Sequence, residues 1–358
     1  MLLAELFTRA LLPQQLILVR PDLWAPDDGL GWRNAPLLDT RVNTGDREVR
    51  LVTDARGHRV APAPAPAPPG RRVLALGDSF LVAMQVEHED TFAARLERSL
   101  SGAAGAPVTV TNTGVSGWAP SQYLLEARRE LARERPDLVL VCLFLGNDIE
   151  DQRVDHYPAR ERRERSLRLP RGLARRELID AIAYPVNDWL ETRSHLFALL
   201  KQRGTFLLMR LGLSARRFPD VCMRREASST RWAVTADLCA ELAALAAAHG
   251  APTLWLLLPG IYQADPTIAA RYTAALGHAE QELAPDQAAR IMSAELTARG
   301  LRVLDATPAL RAACAEGAAD VYGLVDTHLG REGHRRVADL LHGPVLELLE
   351  RGARERQR

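Results

Sequence analysis

The stretch DLVLVCLFLG at 137–146 is apolar from its second residue to its end, as expected of a central parallel strand covered on both faces. Four further segments repeat the idea. RVLAL (72–76) leads into the amphipathic DTFAARLERSL, and VTVTN (108–112) leads into SQYLLEARRELARER. TLWLLLPG (253–260) and LRVLDA (301–306) each follow an Ala-rich helical segment and stop at Pro, Gly or Asp. Strand and helix therefore alternate, which implies an α/β fold: an open parallel five-stranded sheet with right-handed crossovers.

Two regions break the rhythm. The first 60 residues end in REVRLVTDARGHRV, an alternating pattern around a turn that reads as a hairpin, and are followed by APAPAPAPPG (61–70), an extended connector that can form neither helix nor central strand. The expected organisation is a 1–70 N-terminal extension and connector, then a main domain over 71–358. Within that domain, the interval 150–232 is too long for a crossover and opens with the basic mixed-charge segment RVDHYPARERRERSLRLPRGLARRE. Those arginines read as a solvated helical face, and the whole insertion as a largely helical lid beside the carboxyl ends of the strands.

Charge and cysteine content narrow the partners. Lys plus Arg (46) balances Asp plus Glu (45), which argues against nucleic acid and favours a small neutral or modestly charged molecule. The four cysteines, Cys142, Cys222, Cys239 and Cys314, form no C-x-x-C pair, so neither a zinc module nor a disulfide framework is expected. The N-terminal MLLAELFTRALLPQQLILVRPDLW carries Glu5 and Arg9 and has no cleavage pattern, so the reading is no signal peptide, no integral membrane segment and a cytoplasmic protein. An apolar N-terminal helix that docks on a membrane or partner stays open.

In an open parallel sheet the loops after the strands form the binding crevice. Here they carry Gly77-Asp78-Ser79, NTGVSGW (112–118), Gly146-Asn147-Asp148 and VDTHLGREGHRRVADLL (325–341). Each has an ordinary structural reading as a helix cap or a Gly-rich turn. Together they supply a hydroxyl nucleophile, an imidazole, a carboxylate and amide donors, the inventory of acyl transfer. Asp326, His328 and His334 lack a metal-ligand spacing and serine chemistry needs no ion, so no metal or cofactor is expected. His334 reads as a packing or capping residue, and Trp118 either as a wall of the substrate pocket or as plain packing.

The blocks GDSF, NTGVSG, GND and DTH, in this order over roughly 72–342, resemble those of the SGNH (GDSL-type) serine hydrolases. The extension ending in TDARGHR resembles that of a set of bacterial members. The resemblance implies a three-layer flavodoxin-like fold and hydrolysis of esters, often acetyl or other acyl esters on carbohydrates and lipids. Carried over by position, it makes Ser79 the nucleophile, His328 the general base and Asp326 its orienting carboxylate. The oxyanion hole falls to the Ser79 N–H, the Gly117 N–H in preference to Gly114, and the Asn147 side-chain amide. One residue, Thr327, separates Asp326 from His328 where the commonest pattern has two. That shortened form resembles some bacterial polysaccharide acetyltransferases and puts the Asp326 contact in question.

The expectation is thus a serine esterase removing a short acyl group from a sugar, glycoside or other polar metabolite. The alternatives are an O-acyltransferase using the same residues, and a non-catalytic module binding phosphate or a nucleotide at the helix after GDSF. Substrate and oligomeric state are not legible in the sequence.

Overall fold

The computed structural model describes residues 2–14, 16, 21–63, 70–103, 105–149, 186, 189–190, 193–210, 220–276 and 279–356. Nine strands are β1 (Trp24–Asp27), β2 (Gly31–Asn34), β3 (Asp39–Asn43), β4 (Glu48–Val52), β5 (Arg71–Leu76), β6 (Val108–Asn112), β7 (Leu138–Phe144), β8 (Thr253–Leu258) and β9 (Val303–Asp305) among the described residues. The described helices, in chain order, are α1 (Leu2–Leu11), α2 (Ser79–Val82), α3 (Phe92–Ala103), α4 (Pro120–Glu134), α5 (His195–Arg210), α6 (Arg231–Ala248), α7 (Ile261–Ala264), α8 (Pro266–Leu276), α9 (Gln287–Ala298), α10 (Thr307–Ala315) and α11 (Arg331–Arg356).

β5 to β9 form one parallel sheet in the order β6-β5-β7-β8-β9. Numbered within the sheet this is 2-1-3-4-5, the flavodoxin-like arrangement, and its switch point lies between β5 and β7. The five strands coincide with the five runs read from the sequence.

Alternation along each strand sends side chains to two separate cores. Leu74, Leu76, Val139, Val141, Trp255 and Leu257 pack beneath α4, α6 and α9. Val73, Ala75, Leu140, Cys142, Leu254 and Leu256 pack beneath α3, α10 and α11. The result is a three-layer α/β sandwich, and the doubly buried β7 has the composition that burial on both faces demands. Among the described residues, no helix is long and apolar enough to cross a membrane.

The extension builds two antiparallel hairpins, β1–β2 and β3–β4. The hairpin expected around TDARGHR forms as a short antiparallel turn, the Asp54 N–H donating to His58 O at 2.9 Å and the Val60 N–H to Val52 O at 3.0 Å. β4 pairs backward with β3, because Asn43 Oδ1 accepts the Gly45 N–H at 2.8 Å and makes the tight turn there. The turn around TDARGHR carries the bridge Thr53–Arg59, and Arg59 goes on to bridge Asn112 at the end of β6. Leu23, Val42, Val49 and Leu51 of the extension bury against Val82, the last residue of α2, and Met84 just beyond it. Of the 150–232 insertion, residues 150–185 and 211–219 lie outside the described residues. Its described parts include α5 and the short turns Asp220–Cys222 and Arg224–Ser228.

Candidate active site

β5 delivers Ser79 to the switch point. The turn after it is tight: a Cβ on Gly77 would sit 2.9 Å from Leu81 Cβ. Asp78 is fully buried and caps α2, its Oδ1 accepting the Phe80 N–H at 2.9 Å. The capping duty therefore falls on Asp78, and Ser79 is the first residue of α2. Ser79 Oγ lies 2.8 Å from His328 Nε2 and 3.2 Å from Asp78 Oδ2. Burial raises the Asp78 carboxyl to about 6, against the opposing pull of the Phe80 N–H and of His328.

His328 comes from the loop before α11. That loop is closed by the Tyr322–Leu329 bridge and by the Gly323 N–H, which donates to His328 O at 2.8 Å. Thr327 takes a left-handed φ of 64°, turning the chain so that His328 Nδ1 stands 3.2 Å from both Asp326 Oδ2 and Asp326 O. One intervening residue is thus enough for the carboxylate to reach the imidazole. Burial works against protonation of His328, but the Asp326 hydrogen bond and charge outweigh it and hold the imidazole pKa above its ordinary value. The same contact, assisted by Gln85, outweighs burial and keeps Asp326 below the usual carboxylate range. His328 also leans on Phe80, with ring centroids 4.8 Å apart, and Phe80 stacks on Phe144 at 4.0 Å.

The two glycines of NTGVSG differ physically. A Cβ on Gly114 would come 2.4 Å from Val82 N and 2.9 Å from Leu81 C, so Gly114 lets this loop lie against the backbone of α2. Gly117 has φ +79°, and a Cβ there would meet only Trp32 Cζ2, at 3.4 Å. Asn112 ties the loop down, donating from Nδ2 to Leu81 O at 2.8 Å and accepting the Gly114 N–H at 3.0 Å. Trp118 is 1 % exposed, and its indole N–H donates to Trp32 O at 2.8 Å. The ring packs between α4 and the extension, where it also lines a cavity beside His58 and Glu126.

Asn147 lies in the turn directly after β7, at the sheet edge that also carries Ser79. Its neighbour Asp148 is fully buried and accepts from Tyr123 Oη and from the Phe144 N–H, both at 2.9 Å. These two bonds fix the turn that presents Asn147. His334 is 1 % exposed, and its Nδ1 accepts the Phe92 N–H at 3.2 Å at the start of α3.

Sequence reasoning missed the groups that brace these loops. Arg59 is 2 % exposed, and its guanidinium donates to the carbonyls of Val82, Ala83 and Val86 just beyond α2. Burial lowers its pKa to about 10, so it remains a cation at neutral pH. Asp46, in the β3–β4 turn, accepts backbone N–H groups of Leu324, Val325 and Asp326. Asn34 Nδ2 donates to Gly114 O at 2.9 Å, and Trp32 Nε1 to Ser116 O at 2.9 Å. No periodicity marks such residues, because their partners are backbone atoms of distant loops.

Away from this site, among the described residues, His58, Glu126 and Glu130 lie close enough to hold a metal ion. They line a cavity of about 230 Å³ together with Arg33, Arg56, Arg129 and Arg133. His58 Nε2 is 3.2 Å from Glu126 Oε1, and Glu130 pairs with Arg56 at 2.5 Å and Arg133 at 3.0 Å. The donor set is thus engaged in a polar contact between extension and α4.

No family model and no curated protein matches the sequence. Solved structures similar to this chain include TesA, at 16 % identity and TM-score 0.39 over 78 % of this chain and 99 % of that one. An acetyl xylan esterase, AlAXEase, has 11 % identity and TM-score 0.43 over 76 % and 99 %. A member of the lipolytic protein G-D-S-L family from Veillonella parvula has 10 % identity and TM-score 0.39 over 75 % and 95 %.

Proposed function

We propose that this chain is a serine esterase of the SGNH type that works through an acyl-enzyme. The observation that carries the reading is the Ser79 Oγ–His328 Nε2 distance of 2.8 Å, with Asp326 Oδ2 3.2 Å from the other imidazole nitrogen. Nucleophile, base and orienting group stand in the order that nucleophilic catalysis requires.

With Nδ1–H donated to Asp326, Nε2 offers its lone pair to the Ser79 hydroxyl. Ser79 Oγ attacks the ester carbonyl as its proton passes to His328 Nε2. The carbonyl π electrons move to oxygen, giving a tetrahedral oxyanion held by the Ser79 N–H, the Gly117 N–H and the Asn147 side-chain amide. Collapse breaks the bond to the leaving alcohol, whose oxygen takes the proton from His328. Water then attacks the Ser79 ester, gives a proton to Nε2, and the acid leaves as the proton returns to Oγ. Asp326 stabilises the imidazolium throughout without accepting its proton. The neutral amide of Asn147 stabilises the oxyanion without quenching the base.

A short acyl group on a sugar, glycoside or other polar alcohol is the substrate class that the four sequence blocks suggest. The test is a series of p-nitrophenyl esters of increasing chain length alongside acetylated sugars, with Ser79→Ala as control. The reading expects acetyl to butyryl esters to turn over fastest and Ser79→Ala to be inactive. Equal hydrolysis by Ser79→Ala would overturn it, whereas acyl transfer to added sugar outpacing hydrolysis would replace water by an alcohol as acceptor.

A further inference from the structure

The loop that carries the general base is closed at its ends by its own backbone bonds, but the amides of its middle, 324–326, bond outside it. Thr327, β-branched, occupies the left-handed region at φ 64°, and Asp320 at the start of the loop does so at φ 63°. Non-glycine residues persist there only when their surroundings over-determine the conformation. Leu324 is 88 % exposed and Val325 42 % exposed, so apolar burial does little to anchor the middle of the loop.

What meets this loop is the β3–β4 turn of the N-terminal extension. Asp46 Oδ1 accepts the Leu324 N–H at 2.7 Å and the Val325 N–H at 3.0 Å, and Asp46 Oδ2 accepts the Asp326 N–H at 2.9 Å. One carboxylate therefore gathers three consecutive amides, the last belonging to the residue that orients His328. Charge-assisted bonds of this kind are roughly twice as strong as neutral ones. The approach is close on both sides: a Cβ on Gly45 would come 2.5 Å from Val325 Cγ1, and one on Gly323 would come 2.4 Å from Asp46 Oδ2. Next along the chain, Arg47 forms a two-pronged ion pair with Asp320. Clamp and strain thus coincide on one loop.

Resting on the esterase reading above, we propose that Asp46 is a positioning residue: the extension's carboxylate holds the 324–326 backbone so that Asp326 and His328 face Ser79. The extension is then part of the catalytic apparatus, and Asp46 is the group through which it acts on the base.

The near-isosteric Asp46→Asn tests this. Its amide oxygen can still accept from Leu324 and Val325, but its NH2 opposes the Asp326 N–H. Two readouts are required. The first is the pH titration of the His328 imidazole by NMR in the free protein, where the titratable groups facing it are Asp326 of its own loop, Asp78 at the cap of α2 and His334 of α11. The second is kcat and KM on p-nitrophenyl acetate. Asp46→Asn is expected to lower the His328 pKa toward 6.5 and to cut kcat by about 10- to 100-fold with KM within about threefold, as a displacement on the order of 1 Å does. Asp46→Asn with Thr327→Gly, where the left-handed turn carries no steric penalty, is expected to recover at least fivefold in kcat.

A folded Asp46→Asn with wild-type kcat and an unmoved His328 titration would overturn the proposal. A fall in kcat with an unmoved titration and no recovery in the double variant would also overturn it, by making the effect a general loss of stability. If wild type itself neither hydrolyses esters nor depends on Ser79, the esterase reading fails. The NMR titration still decides whether Asp46 sets the Asp326–His328 contact.

Discussion

Gly114→Ala perturbs the site through backbone alone. The new methyl carbon would lie 2.4 Å from Val82 N and 2.9 Å from Leu81 C, whereas ordinary packing contacts begin near about 3.5 Å. Val82 N is a main-chain atom bonded at 3.0 Å to Asp78 O, so it cannot rotate away as a side chain would. The loop and α2 must separate by about 1 Å, and α2 starts at Ser79. Overpacking of this kind costs about 1–3 kcal/mol, which at a urea slope of about 2 kcal/mol per molar moves the unfolding midpoint by roughly 0.5–1.5 M. A displacement on the order of 1 Å between nucleophile and base costs about 100-fold in turnover. The assay is urea unfolding followed by tryptophan fluorescence, with kcat/KM on p-nitrophenyl acetate measured on the same preparation. A variant with wild-type midpoint and wild-type kcat/KM would refute the claim that Gly114 sets the distance between this loop and the nucleophile.

The pH dependence follows from His328. The imidazole must be neutral to accept the Ser79 proton, and Asp326 raises its pKa, so kcat/KM should climb with pH along an acid limb centred above 6.5. Asp326→Asn should move that limb downward, and a limb unchanged in that variant would deny the contact its role. Stability has a separate acid limb. His334 is buried, and its pKa is pushed down to about 3, first by burial and then by the charges of Arg59 and Arg95. The unfolded chain binds this proton near pH 6.5 and the folded one only near 3, so the contribution is complete above about 6.5 and is lost as pH falls between those values. At about 1.4 kcal/mol per pKa unit the loss reaches roughly 3–5 kcal/mol. His334→Gln should flatten the fall in unfolding free energy between pH 6.5 and 4, and an equally steep fall in the variant would contradict the assignment.

The sheet was legible because burial on both faces leaves a mark in the chain: β7 is continuously apolar because neighbours cover both of its faces. Ser79, Gly117 and Asn147 could be singled out because each follows a strand whose end could be located, whereas Asp326 and His328, beyond α10, were singled out by the order of the four blocks. The extension was harder. The turn signal in TDARGHR was read and forms a short hairpin, but the pairing of β4 with β3 is set by one side chain, Asn43, turning the chain at Gly45. Trp118 was ambiguous because a large aromatic suits a pocket wall and a core equally well until its indole N–H finds Trp32 O. The braces Asp46 and Arg59 bond to main-chain carbonyls and amides far away in sequence, which no spacing rule registers. The insertion at 150–185, which the sequence reads as the start of a lid, lies outside the described residues.

In the proposed reaction Ser79 Oγ, activated by His328, forms the covalent acyl-enzyme. Incubation of the folded protein with a fluorophosphonate, followed by mass spectrometry of its peptides, tests this most directly. Stoichiometric modification of Ser79 is expected, with loss of labelling in Ser79→Ala and labelling of His328→Ala slowed by at least about 100-fold. Modification at another residue, or none in folded protein that still hydrolyses esters, would contradict it.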